Sequence, residues 1–214
     1  THFRTDGISV ARDGNESDGY ENTTAFAKFG VNPVDNLELD FVGRYTGYDL
    51  ETDNLTGSDG RLIDGDQETR GMQVFGRAQA TLNLFDGNWK QRFGTTFMRQ
   101  KARNYSDGSR SSTTTGKRTT FDYQSDVLFE TPELASAQHL VTLGLKHELI
   151  DAKQDYGPSK LDRDFSTDSI FGQYQLDIFD RLSLTAGARQ DLNDEFDDAL
   201  TYRLTAAYNL PETG

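Results

Sequence analysis

From Ser169 to Arg189 apolar and polar residues alternate. Ile170, Gly172, Tyr174, Leu176 and Ile178 take one parity, and Phe171, Gln173, Gln175 and Asp177 take the other. After Phe179-Asp180-Arg181 the pattern restarts, with Leu182, Leu184, Ala186 and Ala188 set against Ser183, Thr185, Gly187 and Arg189. Side chains alternate between faces only in a strand, so this stretch predicts two antiparallel strands joined by a very short turn.

The same period recurs along the chain. Ala25, Ala27, Phe29 and Val31 oppose Phe26, Lys28 and Gly30; Leu37, Leu39, Phe41, Gly43 and Tyr45 oppose Glu38, Asp40, Val42 and Arg44. Val74 to Leu84 alternates against Phe75, Arg77, Gln79, Thr81 and Asn83, and Trp89, Phe93 and Phe97 lead the return past Lys90, Arg92 and Met98. Phe121, Tyr123, Val127 and Phe129, then Val141, Leu143 and Leu145, then Leu200, Tyr202, Leu204, Ala206 and Tyr208 complete the set. A weaker alternation runs from Thr5 to about Arg12. About ten strands are predicted, and no helix.

The connections sort by length. Pro33–Asn36, Phe85–Asn88 with its Asp-Gly turn signal, Pro132–Ala137 and Phe179–Arg181 are short. Asp13–Asn22, Leu50–Arg70, Asn104–Gly116, Asp151–Asp164 and the acidic Asp191–Asp198 read as polar connections at the other end. Short turns on one side and longer loops on the other are the habit of up-and-down outer-membrane barrels. Strands of about 10–16 residues exceed the ~5–6 usual in soluble sheets and suffice for a tilted span of about 9–11.

Composition agrees with a thin apolar surface and no thick core. Of 214 residues 34% are hydrophobic and 11% aromatic, and mean hydropathy is −0.72. The aromatics argue against disorder. The net charge of −13 disfavours nucleic acid, which needs a basic footprint. Cys 0 excludes disulfides and thiolate metal sites. No run approaches the ~18 apolar residues of a membrane helix, but barrel strands evade that test.

One parity collects Glu38, Asp40, Arg44, Arg77, Gln79, Lys90, Arg92, Asp122, Asp126, Lys146, Glu148, Asp177, Arg189 and Arg203. A water-filled or plugged lumen suits this face, and lipid suits the other. Phe85, Trp89, Phe129, Phe179 and Tyr208 near the short turns, and Tyr45, Tyr48, Tyr123 and Tyr202 near the long loops, are expected as interfacial girdles. A soluble antiparallel sheet with one wet face gives the same alternation and is the alternative.

The stretch Asn15–Thr24, the Phe171-Gly172-Gln173-Tyr174 and Arg181–Arg189 segments, Asp194-Glu195-Phe196 and Ala206–Gly214 together resemble TonB-dependent outer-membrane receptor barrels of the vitamin B12 receptor type. The resemblance implies an outer-membrane location, a lipid bilayer with lipopolysaccharide around the barrel, and import of a small molecule such as cobalamin or a metal chelate. It also implies a plug domain and the TonB motor as partners. Such barrels have about 22 strands, so residues 1–214 are expected to form a middle section of an all-β, antiparallel up-and-down transmembrane barrel, with plug and C-terminal strands outside it. A self-contained ten-stranded porin-like or adhesin-type barrel and a soluble binding module are the competing readings; an enzyme is not expected.

Candidate chemistry is sparse. Asp59, Asp64, Asp66 and Glu68 offer carboxylates for Ca²⁺ in a flexible loop, though their spacing is not that of an EF-hand. A solvated acidic loop is the plainer reading. Asp191, Asp194, Glu195, Asp197 and Asp198 form a second acidic cluster, read alike or as a site for divalent ions bridging lipopolysaccharide. His2, His139 and His147 lie apart, and no Ser/His/Asp constellation is evident. Arg77, Arg92, Arg189 and Arg203 are expected to pair with lumen carboxylates or plug groups. Leu210–Gly214 matches the sortase pattern LPxTG without the apolar span and basic tail such a signal needs; it is read as a strand end and turn, with an appended tag as the alternative.

Overall fold

The computed structural model describes residues 1–9, 11, 17–55, 62–132, 136–179 and 181–210. Among them ten strands follow one another: β1 (His2–Thr5), β2 (Tyr20–Val34), β3 (Leu37–Leu55), β4 (Leu62–Leu84), β5 (Trp89–Ser106), β6 (Ser109–Thr131), β7 (Ala137–Tyr156), β8 (Ser159–Ile178), β9 (Leu182–Asn193) and β10 (Ala199–Tyr208). They form one sheet in sequence order, with every neighbouring pair antiparallel. The sheet is open: β1 pairs only with β2, and β10 only with β9.

Register carries the predicted parities across the whole sheet. One row runs Val31, Leu39, Ala80, Phe93, Tyr123, Leu145, Ile170, each residue directly opposite the next. The row one residue away runs Asp40, Gln79, Gly94, Asp122, Lys146, Ser169, Asp191. A slip of one residue on any strand would exchange the two faces, so long alternations fix the pairing.

Among the described residues there is no conventional core: the buried apolar residues are Ala11 and Ala137, whereas Thr81, Ser112, Thr120, Thr142 and Ser169 are buried on the polar face. Large apolar side chains stand in the open: Phe29 at 61%, Phe93 at 51% and Leu145 at 52% exposure. Burial is inverted relative to a soluble sheet, and among the described residues no second sheet covers the apolar side.

The loops predicted at one end are mostly strand. β5 and β6 continue to a two-residue turn at Asp107-Gly108, and β7 and β8 to one at Gly157-Pro158. Asp107 and both glycines take positive φ (50°, 69° and 77°), as tight hairpin turns require. The polar composition of 104–116 and 151–164 suggested loops because it lacks apolar alternation. A two-stranded ribbon wet on both sides has no need of any. The asymmetry between the ends is therefore strand overhang rather than loop length: β5 continues from Phe97 to Ser106, about 30 Å at ~3.4 Å per residue. Residues 50–55 and 62–70 are likewise strand, and the 56–61 connection lies outside the described residues. The first strand is His2–Thr5; of the alternation expected from Thr5 to about Arg12, residues 6–9 are not strand, and 10 and 12 lie outside the described residues. At the other end the short turns stand as expected at 35–36 and 85–88, where Gly87 N–H donates to the Leu84 carbonyl at 3.2 Å.

Candidate functional site

The polar face is built by side chains that reach across strands. Arg77 on β4 makes a two-pronged ion pair with Asp122 on β6, its nitrogens 2.9 and 3.0 Å from the two carboxylate oxygens. β5 lies between them, and the bridge passes over Gly94. A Cβ there would stand 2.3 Å from Asp122 and 2.6 Å from Arg77. Glycine at 94 is thus a clearance for an ion pair two strands wide. Arg77 also donates to Thr96 at 2.9 Å and Gln79 at 3.0 Å, which uses its planar fork of donors.

The network continues around the wall. Arg92 pairs with Asp126, which also accepts from Thr142 at 2.7 Å and Gln124 at 2.9 Å. Lys146 holds Glu148 at 2.8 Å, with Arg118 at 3.9 Å. Arg189 holds Asp191 at 2.7 Å and donates to Ser169 at 2.8 Å. Of the four predicted arginines, three have carboxylate partners on the polar face; Arg203 makes no ion pair among the described residues. Gly71 and Gly144 leave room for the rings of Tyr48 and Phe171 directly opposite, 2.0 and 2.1 Å from where a Cβ would sit. The result is a charge-balanced wall that suits water on its open side.

The apolar face is banded. On β5 the outward residues from Trp89 to Phe97 span nine positions, matching a tilted crossing of about 9–11. Two pairs of polar side chains in this band satisfy each other: Trp89 Nε1–H donates to Ser125 Oγ at 2.9 Å, and Tyr123 O–H to Gln91 at 3.2 Å. The lower edge is aromatic. Phe85 stacks on Trp89 at 6.1 Å, and His139 lies between Phe129 at 4.6 Å and Tyr174 at 6.0 Å. The upper girdle differs from expectation. Tyr45 lies at the band's edge, but Tyr48 faces the polar side, and Tyr123 and Tyr202 sit within the band. Residues 104–106 and 109–116, read as loop, are strand, so Tyr123 is further from the true end than its sequence suggests; Tyr202 lies three residues inside β10, beside the 194–198 connection.

At the overhanging end of β3 and β4 lies an acidic corner. Asp49 is opposite Arg70, and Glu51 opposite Glu68. Glu68 pairs with Arg70, whose Nε is 3.4 Å from Asp49. Burial, reinforced by the Glu68 carboxylate, pushes the Asp49 carboxyl up to about 6. Glu51 accepts from the Gly19 N–H at 3.0 Å, tying the N-terminal segment to β3.

Of the four candidate calcium ligands, Asp59 lies outside the described residues and Asp64 falls in β4. Asp66 and Glu68 share one face of β4, about 7 Å apart along the strand, and Glu68 is taken by Arg70. Among the described residues no three His, Asp or Glu side chains converge as a metal-holding group. In the second acidic cluster, Asp194 accepts from the Ser166 N–H at 2.8 Å and Oγ at 2.9 Å, and Asp198 accepts from the Asn193 N–H at 3.3 Å. With Asp191 on Arg189, three of its five carboxylates brace the β8–β9–β10 connections. The histidines are scattered: His2 meets Thr23 at 3.0 Å, and His147 pairs with Asp168 at 2.7 Å. Pro211–Gly214 of the LPxTG match lie outside the described residues.

Sequence reasoning missed two things here: the bridge over Gly94 and the acidic corner's ion pairs. The first was legible only once the register of three strands was known. The second was hidden by reading 50–70 as a loop.

The crystal structure of the outer membrane transporter YddB from Escherichia coli superimposes with a TM-score of 0.74 at 14% identity, covering 96% of this chain and 32% of that one. At that identity the likeness is one of fold, and the chain spans about a third of that transporter's length. No curated protein matches the chain. The family described as TonB dependent receptor-like, beta-barrel matches residues 12–213, nearly the whole sequence. The inverted sheet, its sequential antiparallel order and this match together assign the chain to the TonB-dependent receptor-like β-barrel family.

Proposed function

We propose that this chain is part of the wall of an outer-membrane TonB-dependent transporter that captures and imports a scarce small molecule. One observation carries the reading: Phe29, Phe93, Leu145 and Ile170 are exposed while the hydroxyls of Thr81, Thr120, Thr142 and Ser169 are buried on the opposite face. That burial is costly in water and favourable when one face meets lipid and the other a hydrated lumen. The open edges at β1 and β10 suit continuation into further strands. The whole receptor is expected to need detergent or bilayer to stay folded and to migrate heat-modifiably on gels. A receptor that remains folded and monodisperse in plain buffer would overturn the reading.

The substrate is a proposal of the same kind. Cobalamin and metal chelates are the classes to test, by uptake of labelled ligand in cells with and without the gene, and with the motor uncoupled. Motor-dependent uptake supports the receptor; motor-independent leakage of many small solutes supports a passive porin-like pore. Calcium at Asp59, Asp64, Asp66 and Glu68 also remains a proposal. Terbium luminescence of the purified receptor, lost in Asp64→Asn/Asp66→Asn and displaced by calcium, would support it; unchanged luminescence in that variant would refute it.

A further inference from the structure

Towards the overhanging end of the strands the polar face changes character. Beyond the ion-paired wall, and on its parity, a row runs Phe75, Met98, Arg118, Ile150, Phe165, each residue directly opposite the next. Two residues further along each strand, the next row on this face runs Gln100, Gly116, Ala152, Arg163. The row after that includes Thr114, Gln154 and Leu161. Gly116 and Ala152 are thus a floor almost without side chains, ringed by longer ones. Nothing lies within 4 Å of where a Cβ of Gly116 would sit. The result is a hollow of about 370 Å³ with Met98, Ile150 and Leu161 among its sides.

Charge is sorted across this part of the sheet. Over those three rows, from β5 to β8, the polar parity carries Arg118 and Arg163 and no Asp or Glu. The neighbouring acids take the other parity: Asp151 is opposite Asp164, Lys153 opposite Asp162, and Asp155 opposite Lys160. Arg163 makes no ion pair among the described residues. Arg118 reaches Glu148 at 3.9 Å, but Lys146 already holds that carboxylate at 2.8 Å. The Arg118 side chain is 54% exposed. In a chain of net charge −13, two weakly engaged cations beside an apolar hollow complement an anion.

Shape and lining select the anion. Small-molecule sites run from about 300 to 1,000 Å³, so this hollow suits one or two rings, and a corrinoid is far too large for it. Its floor is the nearly bare backbone of two paired strands, flat over the width of a ring. Methionine sulfur at the side favours an aromatic ring, and a guanidinium fork matches a carboxylate in pairs. We propose that Gly116 and Ala152 seat the ring of a small, metal-free aromatic acid whose carboxylate Arg118 holds. Arg118 lies two residues along β6 from Gly116, and Arg163, directly opposite Ala152, adds positive potential. The inference rests on the reading of the polar face as a lumen wall, and it names a substrate class for that wall.

The test uses the full-length receptor in mild detergent and reads fluorine-NMR line broadening of three probes. These are para-fluorobenzoate, para-fluorobenzyl alcohol (the ring without the charge) and a fluorinated cyclohexanecarboxylate (the charge without the flat ring). The benzoate is expected to bind about tenfold or more tightly than either of the others. Gly116→Val, which fills the hollow with nothing in reach of its Cβ to clash, and Arg118→Gln should each weaken the benzoate about tenfold. Heat-modifiable migration, which reports folding, should not change. Lys160→Gln, on the other parity, should keep wild-type affinity. Equal benzoate binding in wild type and both variants, or none in wild type, would overturn the site. Equal affinity for the alcohol would overturn the anion, and equal affinity for the cyclohexane acid would overturn the ring. Should Gly116→Val fail to fold, Arg118→Gln alone must weaken the benzoate, or the inference falls. A receptor that needs detergent yet binds no probe sinks the site alone. A receptor stable without detergent would instead overturn the membrane reading beneath it.

Discussion

Gly94 links one residue's missing side chain to the integrity of the wall. The Arg77–Asp122 bridge crosses β5 only because nothing stands on it at that point. Gly94→Ala is expected to displace the bridge and destabilise the folded receptor by about 1–2 kcal/mol, the scale of a charge-assisted hydrogen bond in a half-exposed setting. Asp122→Asn should cost a similar amount. The double variant should cost less than the sum, because both changes remove the same contact; urea unfolding in lipid vesicles measures all three. Asp49 gives a second test at this scale. Its carboxyl, held near 6 by burial and by Glu68, lies above the ordinary value of 3.8. The protonated form is therefore the one the fold favours. Its contribution is full below about 3.8 and lost as pH rises through about 6. Asp194 has the opposite sign: hydrogen bonds from Ser166 hold it below the usual carboxylate range, so its contribution is lost as pH falls. A carbon-NMR titration should place the Asp49 midpoint near 6, lower in Glu68→Gln and higher in Arg70→Gln. A midpoint near 4 that ignores both substitutions would contradict the proposed corner.

Single strands are largely legible in the sequence. The alternations of Leu37–Tyr45, Val74–Leu84 and Ile170–Ile178 each fell on a strand with the expected faces, because a one-residue slip reverses burial along its whole length. What alternation cannot report is a strand with no apolar face. The segments 104–116 and 151–164 pair over their length in β5–β6 and β7–β8, yet both faces are polar, and composition alone reads as loop. The ion pairs of the wall are legible as a type: Arg77, Arg92, Arg189 and Arg203 are expected to meet carboxylates on their face or plug groups, and the first three meet carboxylates. Their partners needed the register. The two faces also predict opposite responses to charge. Phe93→Arg, in the middle of the apolar band, is expected to destabilise by about 2–4 kcal/mol in a bilayer. Gln175→Lys on the polar face should change stability by less than about 1 kcal/mol. Both follow from folded-fraction measurements in vesicles, and equal costs would mean the faces are not in different solvents.

Among the described residues the chain is an open sheet of ten sequential strands whose two faces ask for different surroundings. A β-barrel set in a membrane, with lipid on one side of the sheet and water on the other, would meet both. The chain contains no cysteine, so introduced ones report on this directly. Single cysteines placed along β5 to β8 at 93, 96, 121, 124, 145, 146, 170 and 173 sample both parities within the band. In intact outer membranes, a water-soluble maleimide should label 96, 124, 146 and 173 once the lumen is accessible. It should spare 93, 121, 145 and 170, which a lipid-soluble maleimide should reach. Labelling with a period of two and opposite phase for the two reagents is the predicted result. Equal aqueous labelling of both parities, or protection of the polar parity with exposure of the apolar one, would contradict the account.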